Sequence, residues 1–336
     1  MIDQKLPLVI VSHALPDSWL SKLVGRCRLI VGPDTKLYSQ LAPELWPYLP
    51  QAEGLLTLLT VPVDKLLLEQ TPRLKVVSNM AVGVDNIDLS ACTRRGIPVG
   101  HTPDVLTEGT ADLTLALLLA AARSLQQASK DAREGRWTTW SPTGWLGADL
   151  QGATLGIVGL GKIGTAVAER AVAFGLRIVY NSGSRKVDVE DRLDARAVSM
   201  EELLRISEFV CLHPPLTEAT FHLIDADALH LMKPSAILVN VSRGSVVDNA
   251  ALETALRENW IAGAALDVTE PEPLPPDNPL YDLSNCLIVP HIGSATENTR
   301  RRMAERACEN LLAGLGDVRL PHCVNPEVYG NKERGL

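Results

Sequence analysis

The sequence predicts an α/β fold of two domains, each a parallel sheet flanked by helices, from two observations. Short runs of Val, Ile and Leu alternate with longer segments of helical pattern along the 336 residues, and strands that alternate with helices form parallel sheets. A glycine-rich turn at residues 159–164 follows one such apolar run and begins a second series of strands and helices. A chain of this length is typical of about two domains.

The first series occupies the chain up to residue 102. Its apolar runs predict strands, and the segments between them predict short helices. The predicted strands are residues 8–12, 27–31, 54–60, 75–79 and 96–99, and the predicted helices are residues 18–24 and a segment around 66–69.

A long helix over residues 105–133 is predicted next, because this segment is almost entirely Ala and Leu through its middle. A helix that is apolar on every side is buried, so we expect it between the two domains or against a second subunit. The loop after it, residues 137–145, holds three of the six tryptophans. This concentration indicates an interface or a pocket wall, and a hydrophobic flap packed on the core is the alternative.

The second series begins at residue 150. Its helices are predicted over residues 163–173 and 296–312, and the second of these precedes a polar tail. Its predicted strands are residues 154–158, 176–181, 209–212, 236–240, 263–268 and 286–289.

The glycine-rich turn, Gly159-Leu160-Gly161-Lys162-Ile163-Gly164, predicts a dinucleotide site between its strand and its helix. Gly159 permits the tight turn, Gly161 lets the backbone approach a pyrophosphate, and Gly164 lets helix and strand pack closely. Lys162 and Ile163 are predicted to contact the cofactor at the helix N-terminus, whose N–H groups point at the anion. The alternative is a structural turn that binds nothing.

Composition and charge argue against several classes of function. A net charge of −8 argues against nucleic acid or an anionic membrane surface as partner, because both require a basic surface. No apolar run approaches the roughly 18 residues of a membrane span, and the first residues lack the pattern of a signal peptide. The six cysteines show no C-x-x-C spacing, so we expect free thiols, no metal site and a cytoplasmic protein.

Three side chains that could carry chemistry follow predicted strands of the second series: Arg243, Glu272 and His291. Open α/β sheets bind ligands at the carboxyl ends of their strands. Reduction of a 2-keto acid needs a fixed cation for the carboxylate and carbonyl groups, and a proton donor that a neighbouring carboxylate keeps protonated. The alternatives are that Arg243 is an ordinary ion-pair residue, that Glu272 is a solvated loop charge, and that His291 caps a helix. Glu270 competes with Glu272 for its role.

The other histidines carry weaker signals. His213 stands at a strand end before two prolines and could line an adenine pocket. The remaining five have no matching context and are predicted to be structural or solvated: His13, His101, His222, His230 and His322.

The chain resembles the D-2-hydroxyacid dehydrogenase family over nearly its whole length, and within that family the glyoxylate and hydroxypyruvate reductases. The resemblance implies a flavodoxin-like substrate domain, residues 1–102 and 291–336, and a Rossmann cofactor domain, residues 103–290. The motifs that carry it are residues 80–86, 101–107, 135–140, 156–164, 240–244, 266–273 and 290–295.

The resemblance also implies roles for the predicted catalytic residues. His291 would be the proton donor and acceptor, Glu272 its partner, and Arg243 the residue that holds the substrate carboxylate and carbonyl. Backbone N–H groups of Val82 and Gly83 would bind the carboxylate from the other domain.

Four further residues receive roles from the same resemblance. Ser294 would lie beside the substrate, and Asp267 would hold the nicotinamide carboxamide with Thr110 nearby. Trp140 would reach into the active site of the partner subunit in a homodimer and limit the size of the substrate.

The residues after the second strand of the cofactor domain predict NADP(H) in preference to NAD(H). No acid stands at the end of this strand to hold a ribose 2′-hydroxyl or repel a 2′-phosphate. Ser182 and Ser184 can donate hydrogen bonds. Arg185 and Lys186 supply positive charge. Gly183 departs from several NADPH-using relatives, which carry arginine there, and a solvated loop is the alternative.

The predicted function is therefore NADPH-dependent reduction of glyoxylate or hydroxypyruvate to glycolate or D-glycerate. Val82 argues against a phosphite dehydrogenase, which carries lysine there, and Glu272 against a formate dehydrogenase, which carries glutamine. Reduction of another small 2-keto acid is the first alternative. A nucleotide-gated corepressor with the same fold is the second.

Overall fold

The structure, a computed structural model, describes residues 6–34 and 40–332. The chain divides into two compact units, Met1–Leu106 with Thr296–Leu336 and Thr107–Ala295. The predicted domain boundaries, after residues 102 and 290, lie close to these limits.

The first unit is built on a five-stranded parallel sheet. Its strand order, β2-β1-β3-β4-β5, is the flavodoxin-like order implied by the resemblance, so this part of the predicted fold class is confirmed. The strands are β1 (Leu8–Val11), β2 (Arg28–Val31), β3 (Gly54–Thr57), β4 (Val76–Asn79) and β5 (Val99–Gly100). The helices described up to Leu106 are α1 (Lys65–Glu69), α2 (Leu89–Arg94) and the 3₁₀ helices Asp17–Leu23 and Pro43–Gln51.

Two predicted strands of this unit differ from the observed strands by more than one residue. The strand predicted over residues 54–60 ends at Thr57. The strand predicted over residues 96–99 starts only at Val99. The reason is that Gly96 closes the turn after α2 in a left-handed conformation (φ +69°), where an extended strand cannot begin.

The second unit is built on a seven-stranded parallel sheet. Its strands are β6 (Thr154–Val158), β7 (Arg177–Asn181), β8 (Arg196–Ala197), β9 (Phe209–Leu212), β10 (Ile237–Asn240), β11 (Gly263–Leu266) and β12 (Cys286–Ile288). Its α-helices are α3 (Thr107–Ala122), α4 (Leu125–Arg133), α5 (Lys162–Ala171), α6 (Val187–Leu193), α7 (Met200–Ile206), α8 (Ala226–Leu231) and α9 (Asn249–Arg257). The 3₁₀ helices are Val172–Phe174, Gly244–Val246 and Pro279–Asp282.

The strand order of this sheet is β12-β11-β10-β9-β6-β7-β8. The chain therefore runs outward from β6 through β7 to β8 and returns to β9 on the other side of β6. This reversal is the Rossmann order, and it opens a ligand crevice at the carboxyl ends of β6 and β9. The Rossmann part of the predicted fold class is confirmed.

Alternate side chains along the strands supply two cores, one on each face of the sheet. Leu155 and Ile157 of β6 join the core that includes α3 and α5. Val158 of the same strand joins the core formed with α7, α8 and α9. Both faces of the sheet are therefore covered, as a parallel sheet requires.

The long helix predicted over residues 105–133 is two helices, α3 and α4, interrupted at Ser124. The backbone of Ser124 is left-handed (φ +48°), and the N–H of Ala148 donates to the carbonyl of Ala122 (2.8 Å), which a continuous helix would use itself. The prediction that the whole segment is buried on every side is also wrong. Asp112 of α3 is exposed, and all nine residues of α4 are exposed or half-buried.

The last two helices, α10 (Glu297–Leu315) and α11 (Val328–Lys332), belong to the first unit. α10 packs against β3 and β4, and its N-cap is Thr296, whose hydroxyl accepts the N–H of Thr299 (3.1 Å). A side-chain carbon at Gly314 would lie 2.5 Å from Cβ of Val76, so glycine permits the close approach of helix and sheet. Within residues 6–34 and 40–332, no helix combines the length and apolar character needed to cross a membrane.

Candidate active site

The carboxyl ends of three adjacent strands in the second unit carry the predicted catalytic side chains. Arg243 follows β10, Glu272 lies in the loop after β11, and His291 follows β12. β11 pairs in parallel with both β10 and β12, so the three loops start from one edge of the sheet. Arg243 and His291 are half-buried, and Glu272 is exposed.

His291 and Glu272 form a hydrogen-bonded pair. Nδ1 of the imidazole lies 2.5 Å from Oε1 of the carboxylate, and because a carboxylate oxygen accepts, we assign the N–H of this hydrogen bond to Nδ1. Nε2 is then the ring nitrogen that can exchange a proton with a substrate. The alternative that His291 caps α10 is wrong, because the N-cap of that helix is Thr296.

The backbone fixes the position of His291 as well. Its conformation is left-handed (φ +50°), which is uncommon for a residue other than glycine. Its N–H donates to the carbonyls of Asp267 (2.9 Å) and Val289 (3.0 Å). These bonds hold the end of β12 against the end of β11 and aim the imidazole at the Glu272 loop.

Glu270, the competitor for the role of Glu272, faces a different histidine. Its Oε2 lies 3.5 Å from Nε2 of His222, and its carbonyl accepts a hydrogen bond from the side chain of Asn249. The loop therefore sends its two carboxylates to two different imidazoles, and Glu272 is the one that meets His291.

Arg243 stands in a loop that its own residues hold rigid. The side chain of Asn240 accepts from the N–H and the hydroxyl of Ser242 (both 3.0 Å) and donates to the carbonyl of Arg243 (2.9 Å). Nη1 of Arg243 donates to the carbonyl of Ser242 (2.7 Å). The next residue, Gly244, lies so close to the carbonyl of Thr269 that the Arg243 loop and the loop carrying Glu272 are in contact.

Asp267 is buried, and its carboxylate binds the segment that follows His291. Oδ1 accepts the N–H of Ile292 (2.6 Å), and Oδ2 accepts the N–H of Gly293 (2.9 Å). Burial raises the pKa of the Asp267 carboxyl, and these hydrogen bonds oppose that rise in part. The hydroxyl of Thr110 donates to the carbonyl of Gly293 (3.3 Å), so Thr110 and Asp267 meet at this segment, and Ser294 follows half-buried.

Sequence reasoning missed this bracing role of Asp267. The signal was present in Asp267 and the glycine at 293, because a buried acid often binds backbone N–H groups of a glycine-containing turn.

In the first unit, the loop after β4 holds Val82 and Gly83. The carbonyl of Val82 lies 2.9 Å from Nδ1 of His101, and the carbonyl of Gly83 accepts from the side chain of Asn79 (2.9 Å). A carbonyl can only accept, so His101 is the donor and its Nδ1 carries a proton. Because a trans peptide points its C=O and N–H in opposite directions, the His101 bond also fixes the direction of the N–H of Gly83.

The predicted pyrophosphate turn has the geometry that such a group requires. Gly159 is left-handed (φ +91°), and a side-chain carbon there would lie 2.8 Å from the backbone of His213 and Pro214. A side chain at Gly164 would overlap the carbonyl of Gly159, whereas the space beside Gly161 is open. α5 begins at the next residue, and no side chain caps its N-terminus, which is the end of a helix that binds anions.

His213 lies at the end of β9, beside this turn. Its Nε2 is buried and has no hydrogen-bond partner among the described residues. Burial lowers the pKa of the imidazole to about 4, so the ring is neutral at physiological pH. A buried ring atom without a partner, next to an open glycine turn, fits a ligand with polar groups, so the residues present fit a dinucleotide.

The loop after β7, predicted to hold a 2′-phosphate, contains a paired arginine. Nε of Arg185 donates to Oε1 (3.0 Å) and Oε2 (2.9 Å) of Glu190, and Nη2 donates to Oε2 (2.8 Å). Ser184 is exposed, and Ser182 and Lys186 are half-buried. Sequence reasoning missed Glu190 because it lies in the first turn of α6 and not at the strand end.

The tryptophan loop after α4 is largely exposed. Trp137 and Trp140 are 64% and 80% exposed, so the alternative of a hydrophobic flap packed on the core is wrong for these two. Trp145 is anchored, because its indole N–H donates to the carboxylate of Asp131 (2.8 Å). This bond, together with Arg136, lowers the pKa of Asp131.

Cysteines and clustered acidic side chains are the groups that most often bind metal ions. All six cysteines are free thiols, as predicted. Over the described ranges, no three His, Cys, Asp or Glu side chains are grouped so that they could hold a metal ion.

Comparison with known proteins gives one family. The model of the family described as D-isomer specific 2-hydroxyacid dehydrogenase, NAD binding domain, matches residues 115–293. The glyoxylate reductase of Korarchaeum cryptofilum is 48% identical over 331 residues, which are 98% of this chain and 99% of that protein.

Solved structures agree with this result. The TT0316 protein of Thermus thermophilus superposes with a TM-score of 0.88 and 47% identity, covering 94% of this chain and 99% of that one. The NADPH-dependent glyoxylate/hydroxypyruvate reductase of Sinorhizobium meliloti, in complex with NADP and malonate, superposes with a TM-score of 0.80 and 32% identity, covering 96% and 98%.

Proposed function

The chain belongs to the D-isomer specific 2-hydroxyacid dehydrogenase family, and we propose that it reduces glyoxylate to glycolate, and hydroxypyruvate to D-glycerate, with NADPH. The observation that carries this proposal is the pairing of His291 with Glu272 at 2.5 Å, on the sheet edge that also carries Arg243. The similarity to glyoxylate reductases of other organisms supports the choice of substrate.

In the proposed reaction, His291 gives a proton to the carbonyl oxygen of the substrate. Protonated His291 donates Nδ1–H to Glu272 and presents Nε2–H to the oxygen, and Glu272 stabilises the imidazolium until the proton has moved. The nicotinamide, when bound, supplies the hydride that reaches the carbonyl carbon. The net reaction consumes one hydride and one proton for each 2-hydroxy acid formed.

Binding of the substrate is assigned to a cationic side chain and to backbone N–H groups. We assign the substrate carboxylate and carbonyl to Arg243, because a guanidinium offers donors to both in a fixed plane. Backbone N–H groups of Val82 and Gly83 are proposed to bind the carboxylate, and Ser294 is proposed to lie beside the substrate.

Binding of the cofactor is assigned to the second unit. The turn at residues 159–164 would hold the pyrophosphate, and His213 would line the adenine pocket. Asp267 and Thr110, which meet at the segment after His291, would lie beside the nicotinamide carboxamide. Ser182, Ser184, Arg185 and Lys186 are proposed to favour NADP(H) over NAD(H), which the NADP complex of the Sinorhizobium meliloti relative supports.

The proposed assembly is a homodimer in the cytoplasm. The large exposed face of Trp140 supports a partner subunit that covers it. In this proposal Trp140 contributes to the partner's active site and limits substrate size. The six free thiols support a reducing compartment.

The test is a paired assay on the purified protein, with glyoxylate or hydroxypyruvate and with NADPH or NADH, followed by loss of reduced nicotinamide absorbance. His291→Ala is expected to lower kcat at least about 10³-fold, because it removes the proton donor. His230→Ala changes a histidine on α8 and is the matched control. Near-normal turnover of His291→Ala would refute the mechanism. Nucleotide binding without turnover would point to another small 2-keto acid, or to a corepressor.

A further inference from the structure

An acid lies inside the region that is predicted to recognise the 2′-phosphate. Glu190 reaches back from the first turn of α6 to Arg185, which precedes that helix, through three hydrogen bonds of 2.8–3.0 Å. The side chain of Arg185 is 72% exposed, whereas that of Glu190 is only 12% exposed. The carboxylate is therefore the fixed member of the pair, and the arginine comes to it.

Tyr180, a buried residue of β7, anchors this carboxylate. Its hydroxyl donates to Oε1 of Glu190 (2.6 Å) and accepts the N–H of Lys186 (2.7 Å). The chain of bonds from Lys186 through Tyr180 and Glu190 to Arg185 fixes the whole turn. Arg185 and Tyr180 both lower the pKa of Glu190, so its negative charge is present at neutral pH.

This charge changes the electrostatics of the turn. In a Rossmann fold the residues after the second strand, here β7, meet the ribose 2′-substituent of the cofactor. Arg185 and Lys186 contribute two positive charges, and Glu190 cancels one of them. Nε and one N–H of Nη2 of Arg185 are also occupied, so a phosphate must compete with the carboxylate for the same guanidinium.

We propose that Glu190 is a specificity-determining residue that limits the preference for NADPH over NADH by neutralising Arg185. This inference rests on the proposed use of a nicotinamide dinucleotide. NADH lacks the 2′-phosphate, so its binding does not depend on the charge of Glu190, whereas NADPH loses part of the charge and of the N–H donors of Arg185 to this carboxylate. Glu190 acts through Arg185, whose positive charge it neutralises. It does not neutralise the positive charge of Lys186.

The experiment is Glu190→Gln, which keeps the shape of the side chain and an oxygen for the hydroxyl of Tyr180 but removes the charge. The ratio of kcat/KM for NADPH to that for NADH is expected to rise about tenfold, the size of a Coulomb interaction between partly exposed charges a few ångströms apart. The gain should lie in KM for NADPH and should shrink as salt is added.

A matched control is Glu169→Gln on α5, which removes one negative charge from another arginine pair, Arg192 with Glu169 (2.7 Å). Its ratio is expected to stay at the wild-type value. Arg185→Gln completes a double-mutant cycle: in that background the effect of Glu190→Gln should largely disappear. The double variant leaves no unpaired member of the pair, so comparison with it shows whether a single variant that folds poorly does so because its partner is left unpaired.

Two results would overturn the inference. A ratio that falls in Glu190→Gln would mean that Glu190 orients Arg185 for the phosphate, and a ratio that stays unchanged would mean that the pair does not face the cofactor. The absolute ratio of the wild-type protein tests the proposed NADPH preference separately. A protein that prefers NADH would contradict that preference but would still show the shift caused by Glu190→Gln.

Discussion

Gly244→Ala is expected to separate two loops of the site without changing any group that takes part in the chemistry. A Cβ at this position would lie 2.0 Å from the carbonyl oxygen of Thr269 and 2.7 Å from the N atom of Glu270. Such contacts do not fall below 3.0 Å, and both neighbours are backbone, so the loops must move apart by about 1 Å. Arg243 would then shift relative to the pair of Glu272 and His291.

A displacement of about 1 Å in a catalytic site can cost about 10²-fold in rate, and overpacking costs about 1–3 kcal/mol of the free energy of unfolding. We therefore expect kcat/KM for glyoxylate to fall about 100-fold while the Kd for NADPH changes little. Steady-state kinetics, nucleotide titration and thermal unfolding measure these three effects.

Gly330→Ala is the matched control, because nothing lies within 4 Å of a Cβ at that exposed position, and it should behave as the wild type. Wild-type kcat/KM in a folded Gly244→Ala variant would refute the argument that contact between the two loops sets the geometry of the site.

The remaining predictions concern two histidines. Replacing His101 with Ala removes the donor to the carbonyl of Val82 and should raise KM for glyoxylate about tenfold at unchanged affinity for NADPH. His101→Asn should restore the wild-type KM, because the amide nitrogen of Asn can replace Nδ1. Equal KM values in the two variants would contradict the positioning role of His101. The pKa of His213 is near 6.5 in the unfolded chain, and burial lowers it to about 4 in the folded one. The unfolded state therefore binds more protons between these pH values. The free energy of unfolding should therefore decrease as the pH falls through this window, by up to about 1.4 kcal/mol per pH unit. His213→Gln should lose less thermal stability than the wild type between about pH 7 and pH 5, and parallel losses would contradict this assignment.

The sheets were predictable because they depend on short-range patterns. Each central strand is a run of apolar residues buried on both faces, and the strand at Phe209–Leu212 has the predicted limits. The break between α3 and α4 was not predictable, because it depends on a residue more than twenty positions away. The N–H of Ala148 donates to the carbonyl of Ala122, the last residue of α3. A sequence of good helix formers cannot reveal a competitor for its last hydrogen bonds.

The candidate site divides in the same way. Residues at strand ends could be found, because the topology of a parallel sheet brings those ends together, and Arg243, Glu272 and His291 do share one edge. The strand ends alone could not decide between Glu270 and Glu272, since the choice depends on where each side chain points in a loop of alternating prolines. The family resemblance implied Glu272, and this is the carboxylate that pairs with His291. Glu190 was not predicted, because an acid that binds the ribose is expected at the strand end. Glu190 instead lies in α6, five residues beyond Arg185, and its side chain folds back to that arginine.

The support of the site comes largely from backbone groups. Asp267 joins the end of β11 to the N–H groups of Ile292 and Gly293, and its carbonyl takes the N–H of His291. Gly244 joins the β10 loop to the β11 loop by direct backbone contact. Backbone positions fluctuate less than long side chains, so the imidazole and its carboxylate are held in place before a substrate arrives. The free energy needed to order these groups is therefore part of the free energy of folding. It does not add to the activation free energy of each turnover.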